Sequence, residues 1–144
     1  IKSTPKFYLF DVGIANYLAK VQVEVLRGIM ADNAFEHFIL MELRAFLGLN
    51  ELDEPINYWR SKTGLEVDFI LNQGKVAVEA KISANPAVSE LKGLRAFCND
   101  YKPEHAIVVC PIPRPRLLTT ENGVEIIALP WQEFLHALWD RKYI

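Results

Sequence analysis

Between Asp32 and Gly48 apolar residues recur at helical spacing. Phe35, Phe38, Ile39, Leu43 and Phe46 form one stripe, while His37, Met41 and Arg44 fall on the outer side. Asp32 suits an N-cap and Gly48 a stop, so the pattern predicts one long helix. A second helix is predicted over 88–99, after Pro86, with Val88, Leu91, Leu94 and Phe97 at core spacing. A third opens at Pro130 and runs to about Trp139. Period-two alternation marks strands over 58–60, 66–72 and 75–82. The apolar run 106–110 suits a strand buried on both sides, and 124–129 a last strand. Three prolines over 111–115 exclude a helix or central strand there.

Ahead of the long helix the pattern is thinner. The aromatic run 7–10 has strand character, Asp11 suits the cap of a helix to about Leu18, and 21–30 predicts a connection. From Asp32 onward the order is helix, three strands, helix, two strands, helix. That order predicts an α/β fold with a mixed sheet flanked by helices.

The most informative stretch is the hairpin 65–82. With a two- or four-residue loop around Gln73-Gly74, Asp68 falls opposite Glu79 and Glu66 opposite Lys81. The other face is then Leu65, Val67, Phe69 and Leu71 against Val76, Val78, Ala80 and Ile82, wholly apolar. Directly opposed acids repel, which suits a divalent cation with oxygen ligands between Asp68 and Glu79. The plainer alternative is a solvated strand face with a Glu66–Lys81 surface ion pair. On the long helix Glu36 borders the apolar stripe and offers a third acid, with Glu42 the alternative.

Composition narrows the classes. The 144 residues are 51% hydrophobic and 24% charged, so one packed domain is expected. No apolar run is long enough to span a bilayer, and no partner membrane is expected. Cys98 and Cys110 lack metal or redox spacing, which points to a reduced, cytoplasmic setting. His37, His105 and His136 are scattered without ligand spacing, and no catalytic Ser/His/Asp or Cys/His set is present. A net charge of −2 requires any nucleic-acid role to rest on a local patch or a metal. Arg60, Lys62, Lys92 and Arg95 are the candidate phosphate contacts, with Trp59 a candidate stacking surface. Arg114 and Arg116, flanking Pro115, are further loop cations.

Glu36, Asp68 and Glu79-Ala80-Lys81, with ten residues between Asp68 and Glu79, resemble the PD-(D/E)XK nuclease superfamily. The strand-strand-strand-helix-strand order is similar too. The segments Lys6-Phe-Tyr-Leu-Phe-Asp-Val-Gly13, Ala34-Phe-Glu-His-Phe-Ile-Leu-Met-Glu-Leu43, Tyr58-Trp-Arg-Ser-Lys-Thr-Gly-Leu-Glu-Val-Asp-Phe-Ile70 and Val78-Glu-Ala-Lys81 resemble the C-terminal domain of a large prokaryotic AAA-type ATPase family. The resemblance implies a restriction-endonuclease-like fold over 31–144, joined through 1–30 to a preceding ATPase or winged-helix region. It also implies a fragment, since the chain opens on Ile1 and holds no Walker-type phosphate loop, leaving ATP to the ATPase part. As site residues it implies Glu36, Asp68, Glu79 and Lys81, with Mg²⁺ or Mn²⁺ on Asp68 and Glu79. The implied partners are DNA, the ATPase region and, in a homo-oligomer, further copies of the chain. A non-catalytic module for protein interaction is the alternative reading.

Overall fold

A computed structural model describes Tyr8, Asp11 and residues 28–144. The strand expected over 7–10 and the helix expected after Asp11 lie outside the described residues, those two positions excepted. The elements are α1 (Ile29–Leu49), β1 (Asn57–Arg60), β2 (Glu66–Leu71), β3 (Val76–Ala80), α2 (Lys92–Tyr101), β4 (His105–Cys110), β5 (Arg116–Glu121), β6 (Val124–Pro130) and α3 (Trp131–Trp139). The strands form one mixed sheet in the order β1-β2-β3-β4-β6-β5. The β3/β4 and β4/β6 pairs are parallel and the other pairs antiparallel. The expected α/β class and the sheet flanked by helices are both present.

Apolar residues fill both faces. Phe35, Ile39, Leu43 and Phe46 of α1 and Phe134 and Leu138 of α3 cover one face, over Phe69, Leu71, Val76, Val78 and Ala80. Leu91, Leu94, Phe97 and Cys98 cover the other, over Val67, Ile70 and Ala77. No described helix is long and apolar enough to cross a membrane.

Several expectations need correction. The long helix starts before Asp32: Gly28 is the N-cap, and the amides of Ala31 and Asp32 donate to its carbonyl. Asp32 sits in the first turn instead, where the helix dipole favours an acid. His37 is buried, its ring 6.3 Å from that of Tyr8, which covers this flank of α1. Phe38, expected in the core, lies at the rim against Trp131 and is 36% exposed. The helix expected from Val88 begins as a single 3₁₀ turn, Val88–Glu90, and becomes α-helical only at Lys92. The strand β5 was not expected. It is an edge strand, paired to β6 alone and irregular between Leu117 and Thr119, so its alternation is weak.

The hairpin register is the expected one. Leu71 opposes Val76, Ile70 opposes Ala77 and Phe69 opposes Val78. Four residues, 72–75, make the turn, and Asn72, Gln73 and Gly74 all have positive φ. Against β1 the register slips: Asn57 faces Ile70 but Trp59 faces Val67. Asp68 and Phe69 together therefore oppose Tyr58 alone, which is a β-bulge. The bulge breaks alternation, so Val67 turns to the α2 side with Ile70 rather than joining Phe69 and Leu71 as expected.

One backbone contact seats α2. A Cβ on Gly93 would lie 1.8 Å from the Glu66 carbonyl oxygen, so only glycine lets the helix rest on the start of β2. Gly93→Ala is therefore expected to push α2 away and lower stability by about 2 kcal/mol. A urea melt of the variant against the wild type measures that loss.

Candidate active site

β2 and β3 run as a ladder from the turn up to Phe69 and Val78, and there the ladder stops. Continued one step, the register sets Asp68 against Glu79. The Ala80 amide donates not to a β2 carbonyl but to the side chain of Asp68, with N to Oδ2 at 2.9 Å. On the far side of β3 the Lys81 amide still bonds Val109 of β4 at 2.9 Å. The bulge thus delivers the Asp68 carboxylate into the gap where β2 parts from β3.

Glu79 alternates with Val78 and Ala80 and is only 7% exposed. A carboxylate at that depth needs a cation, and Lys81 supplies it, with Nζ 2.9 Å from Glu79 Oε1. The ion pair expected between Glu66 and Lys81 does not form. Glu66 instead takes Arg60 across the β1/β2 pair at 3.1 Å, Nε to Oε1, because β1 stands closer to it. Burial pulls the Lys81 ammonium down, yet Glu79, Asp68 and Asp32 outweigh that and hold it above the ordinary lysine value. Lys81 is therefore a fixed positive charge among acids.

Glu36 stands on α1, where the Tyr8 hydroxyl donates to its Oε1. Burial, then Glu36, Asp68 and Glu66 in that order, pushes the Tyr8 phenol upward, so it stays protonated. Tyr8 is thus near enough to Glu36, Asp68 and Glu66 for all three to oppose its ionisation. Glu42, the alternative third acid, is half-buried farther along α1, and no hydrogen bond or ion pair of this group reaches it. Tyr8 and Asp32 carry no sequence signal for the site beyond the aromatic run and the helix start.

The candidate phosphate contacts divide. Arg60 is held by Glu66, and Arg95 by Glu121, which also takes Asn99. Lys62 and Lys92 are exposed. Both flank Glu66: Lys62 lies in the turn before it, and Lys92 adjoins Gly93, which rests on its carbonyl. Trp59 stacks edge-on against Phe97 and Tyr101, so it packs under α2. Arg116 begins β5 and donates to Asn85. His105 and His136 are exposed and stand apart from the acids. Burial pushes both thiols up to about 11, aided at Cys98 by Glu121, which leaves them inert at neutral pH. A cleft of about 580 Å³ beside His105, Ile127 and Tyr143 includes none of the site residues, and the carboxylate–lysine chemistry lies elsewhere.

The donors present are oxygen-only, which suits Mg²⁺ or Mn²⁺ and no softer ion. Among the described residues no three His, Cys, Asp or Glu side chains gather as a ligand set. Mg²⁺ asks for less, since one or two carboxylates with water and phosphate oxygens complete its shell. Asp68 and Glu79 fit that requirement.

The profile of the family described as "Domain of unknown function (DUF4143)" matches residues 31–132. The chain belongs to the DUF4143 family. The DUF4143 span carries Glu36, Asp68, Glu79 and Lys81, and Tyr8 lies before it. Comparison with curated proteins finds no match.

Because Lys81 binds its proton more tightly in the folded chain, its stabilisation is whole below the ordinary value of 10.5 and is lost as pH climbs past it. Lys81→Met is expected to cost about 2 kcal/mol at pH 7, discounted from a fully buried pair because the lysine is part-exposed. The gap to wild type should narrow only in strongly alkaline buffer. Thermal melts of both proteins across pH 7–11 check the loss and its direction.

Proposed function

We propose that this domain has the PD-(D/E)XK nuclease fold and acts on DNA as the C-terminal part of an AAA-type ATPase, cleaving phosphodiesters with a divalent metal. The observation that carries the reading is the pair of buried Glu79 and part-buried Lys81 beside Asp68 where β2 leaves β3. Asp68 and Glu79 would hold Mg²⁺ or Mn²⁺. When bound, the ion supplies Lewis acidity toward a phosphate oxygen and acidifies a water. Lys81, kept as an ammonium by its acids, offsets charge developing on phosphate and does not serve as a base. Glu36 adds the α1 carboxylate to the set. ATP belongs to the preceding ATPase region.

The acids repel DNA on their own, so binding falls to the cation and to Lys62 and Lys92 at the rim. Each of Lys62→Ala and Lys92→Ala is expected to lower the salt slope of DNA affinity by about 1, and Arg95→Ala to leave it unchanged. Affinity measured by fluorescence anisotropy from low to moderate salt reads these slopes.

Cleavage of plasmid and branched DNA with Mg²⁺ or Mn²⁺ is expected to fall about 100-fold or more in Asp68→Ala and in Lys81→Ala. Equal cleavage by wild type and variants would overturn the catalytic reading.

A second reading is a non-catalytic module that joins the ATPase to a partner protein or to other copies of itself. The exposure of the large apolar residues Phe38 and Leu49 on α1 and Trp139 on α3 favours it. No DNA binding at low salt, together with a concentration-dependent sedimentation coefficient, would select it.

A further inference from the structure

The row of the sheet that holds Glu79 ends in a cation. Glu79 pairs in register with Val108, Val108 with Ala128, and Ala128 with Arg116. Residues directly opposite each other share a face, and Val108 and Ala128 pack in the core under α2. Glu79 and Arg116 are therefore the two ends of one row on that face, three strand spacings or about 14 Å apart. Nη1 and Nη2 of Arg116 donate to Oδ1 of Asn85 at 3.2 and 3.1 Å, in the loop that leaves β3 after Lys81. Asn85 is neutral, so it places the guanidinium without cancelling its charge. Arg60 and Arg95, by contrast, are neutralised by Glu66 and Glu121. Arg114, two residues before Arg116, is exposed and makes no ion pair or hydrogen bond among the described residues. Pro111, Pro113 and Pro115 fix φ along this loop, so its cations lose little freedom on meeting a ligand. The opposite ends of β4, β5 and β6 carry Glu104, Glu121 and Glu125, which repel a polyanion there.

We infer that Arg114 and Arg116 are the outer phosphate contacts of the site, gripping the backbone of a DNA strand that runs from Asp68 and Glu79 across the ends of β4 and β6. The inference rests on the DNA-cleaving reading above and gives the bound strand a direction over the sheet edge. Backbone charges recur about every 3.4 Å along one strand, so the two guanidinium groups lie about four nucleotides from the scissile phosphate. Lys62 and Lys92 flank Glu66 on the other side of the acids, so the carboxylates stand between two pairs of cations. A strand held on both sides is carried past charges that would repel it alone. Asn85 takes two of the five N–H donors of Arg116 and leaves the rest for phosphate oxygens.

The test is the salt dependence of affinity for a DNA duplex long enough to span both pairs of cations, read by fluorescence anisotropy on the intact chain. Arg114→Ala and Arg116→Ala are each expected to lower the slope by about 1, and Arg116→Lys to keep it. Asn85→Ala separates a phosphate contact from a purely structural tie, because it breaks the bond between the loops and retains the charge. Its slope is expected to match the wild type. Arg141→Ala, which removes an exposed arginine held by Asn50 at the ends of α1 and α3, is expected to match it as well. An unchanged slope in either Arg114→Ala or Arg116→Ala, or an equal loss in Asn85→Ala or Arg141→Ala, would overturn the inference and leave the cleavage reading standing. A wild-type chain that neither binds nor cleaves DNA would overturn both.

Discussion

Where β2 parts from β3, the Ala80 amide loses the strand carbonyl that would have received it. Left buried without an acceptor, it would cost about 1–3 kcal/mol. Asp68 receives it instead, at 2.9 Å. This bond needs a side chain that reaches sideways into the gap, and the bulge opposite Tyr58 provides the turn in the backbone that aims it. The same bulge sends Val67 under α2, so the core on that face and the acid in the gap come from one irregularity. Straightening the strand would give up both.

Charge balance follows from this placement. Among the described residues Arg60 is engaged by Glu66 and Lys81 by Glu79, and Asp68 and Asp32 add to the field that holds the Lys81 proton. The depth of Glu79 makes Lys81 a support of the fold as well, since a buried carboxylate that loses its cation is destabilising. On the proposed reading, folding and function would compete for the same ammonium. A divalent ion, if bound there as proposed, would relieve that competition by taking over part of the neutralisation.

The hairpin register was legible because Gln73-Gly74 marks the turn and the apolar residues on either side accept only one pairing. The three helices were legible from spacing, as was the apolar character of β4. What escaped was set by neighbours rather than by local pattern. The bulge exists only against β1, so alternation within 66–72 placed Val67 on the wrong face. His37 reads as surface on a wheel of α1, yet it is buried and the Tyr8 ring from far upstream packs near it. Glu66 and Lys81 were paired by register, but β1 brings Arg60 to Glu66 and the depth of Glu79 captures Lys81. β5 lacked a pattern because an edge strand is restrained on one side only. Among the site residues Glu36, Asp68, Glu79 and Lys81 came from spacing and resemblance, whereas Tyr8 had no signal that singled out its hydroxyl.

Two supports of different kinds hold the acids from opposite faces of the sheet. On the α2 side the restraint is steric: Gly93 lets the helix touch the Glu66 carbonyl, fixing where β2 begins and hence where the bulge falls. On the α1 side it is a hydrogen bond, because Tyr8 holds Glu36 by its hydroxyl. A steric support fails all at once and takes β2 with it, since a Cβ at 1.8 Å from backbone cannot be absorbed by a side-chain rotation. A hydrogen-bonded support can be lost while the ring stays packed, leaving the fold intact. The strand acids thus stand or fall with the sheet, whereas the tyrosine hydroxyl that meets the helix acid is one the core does not require for its packing.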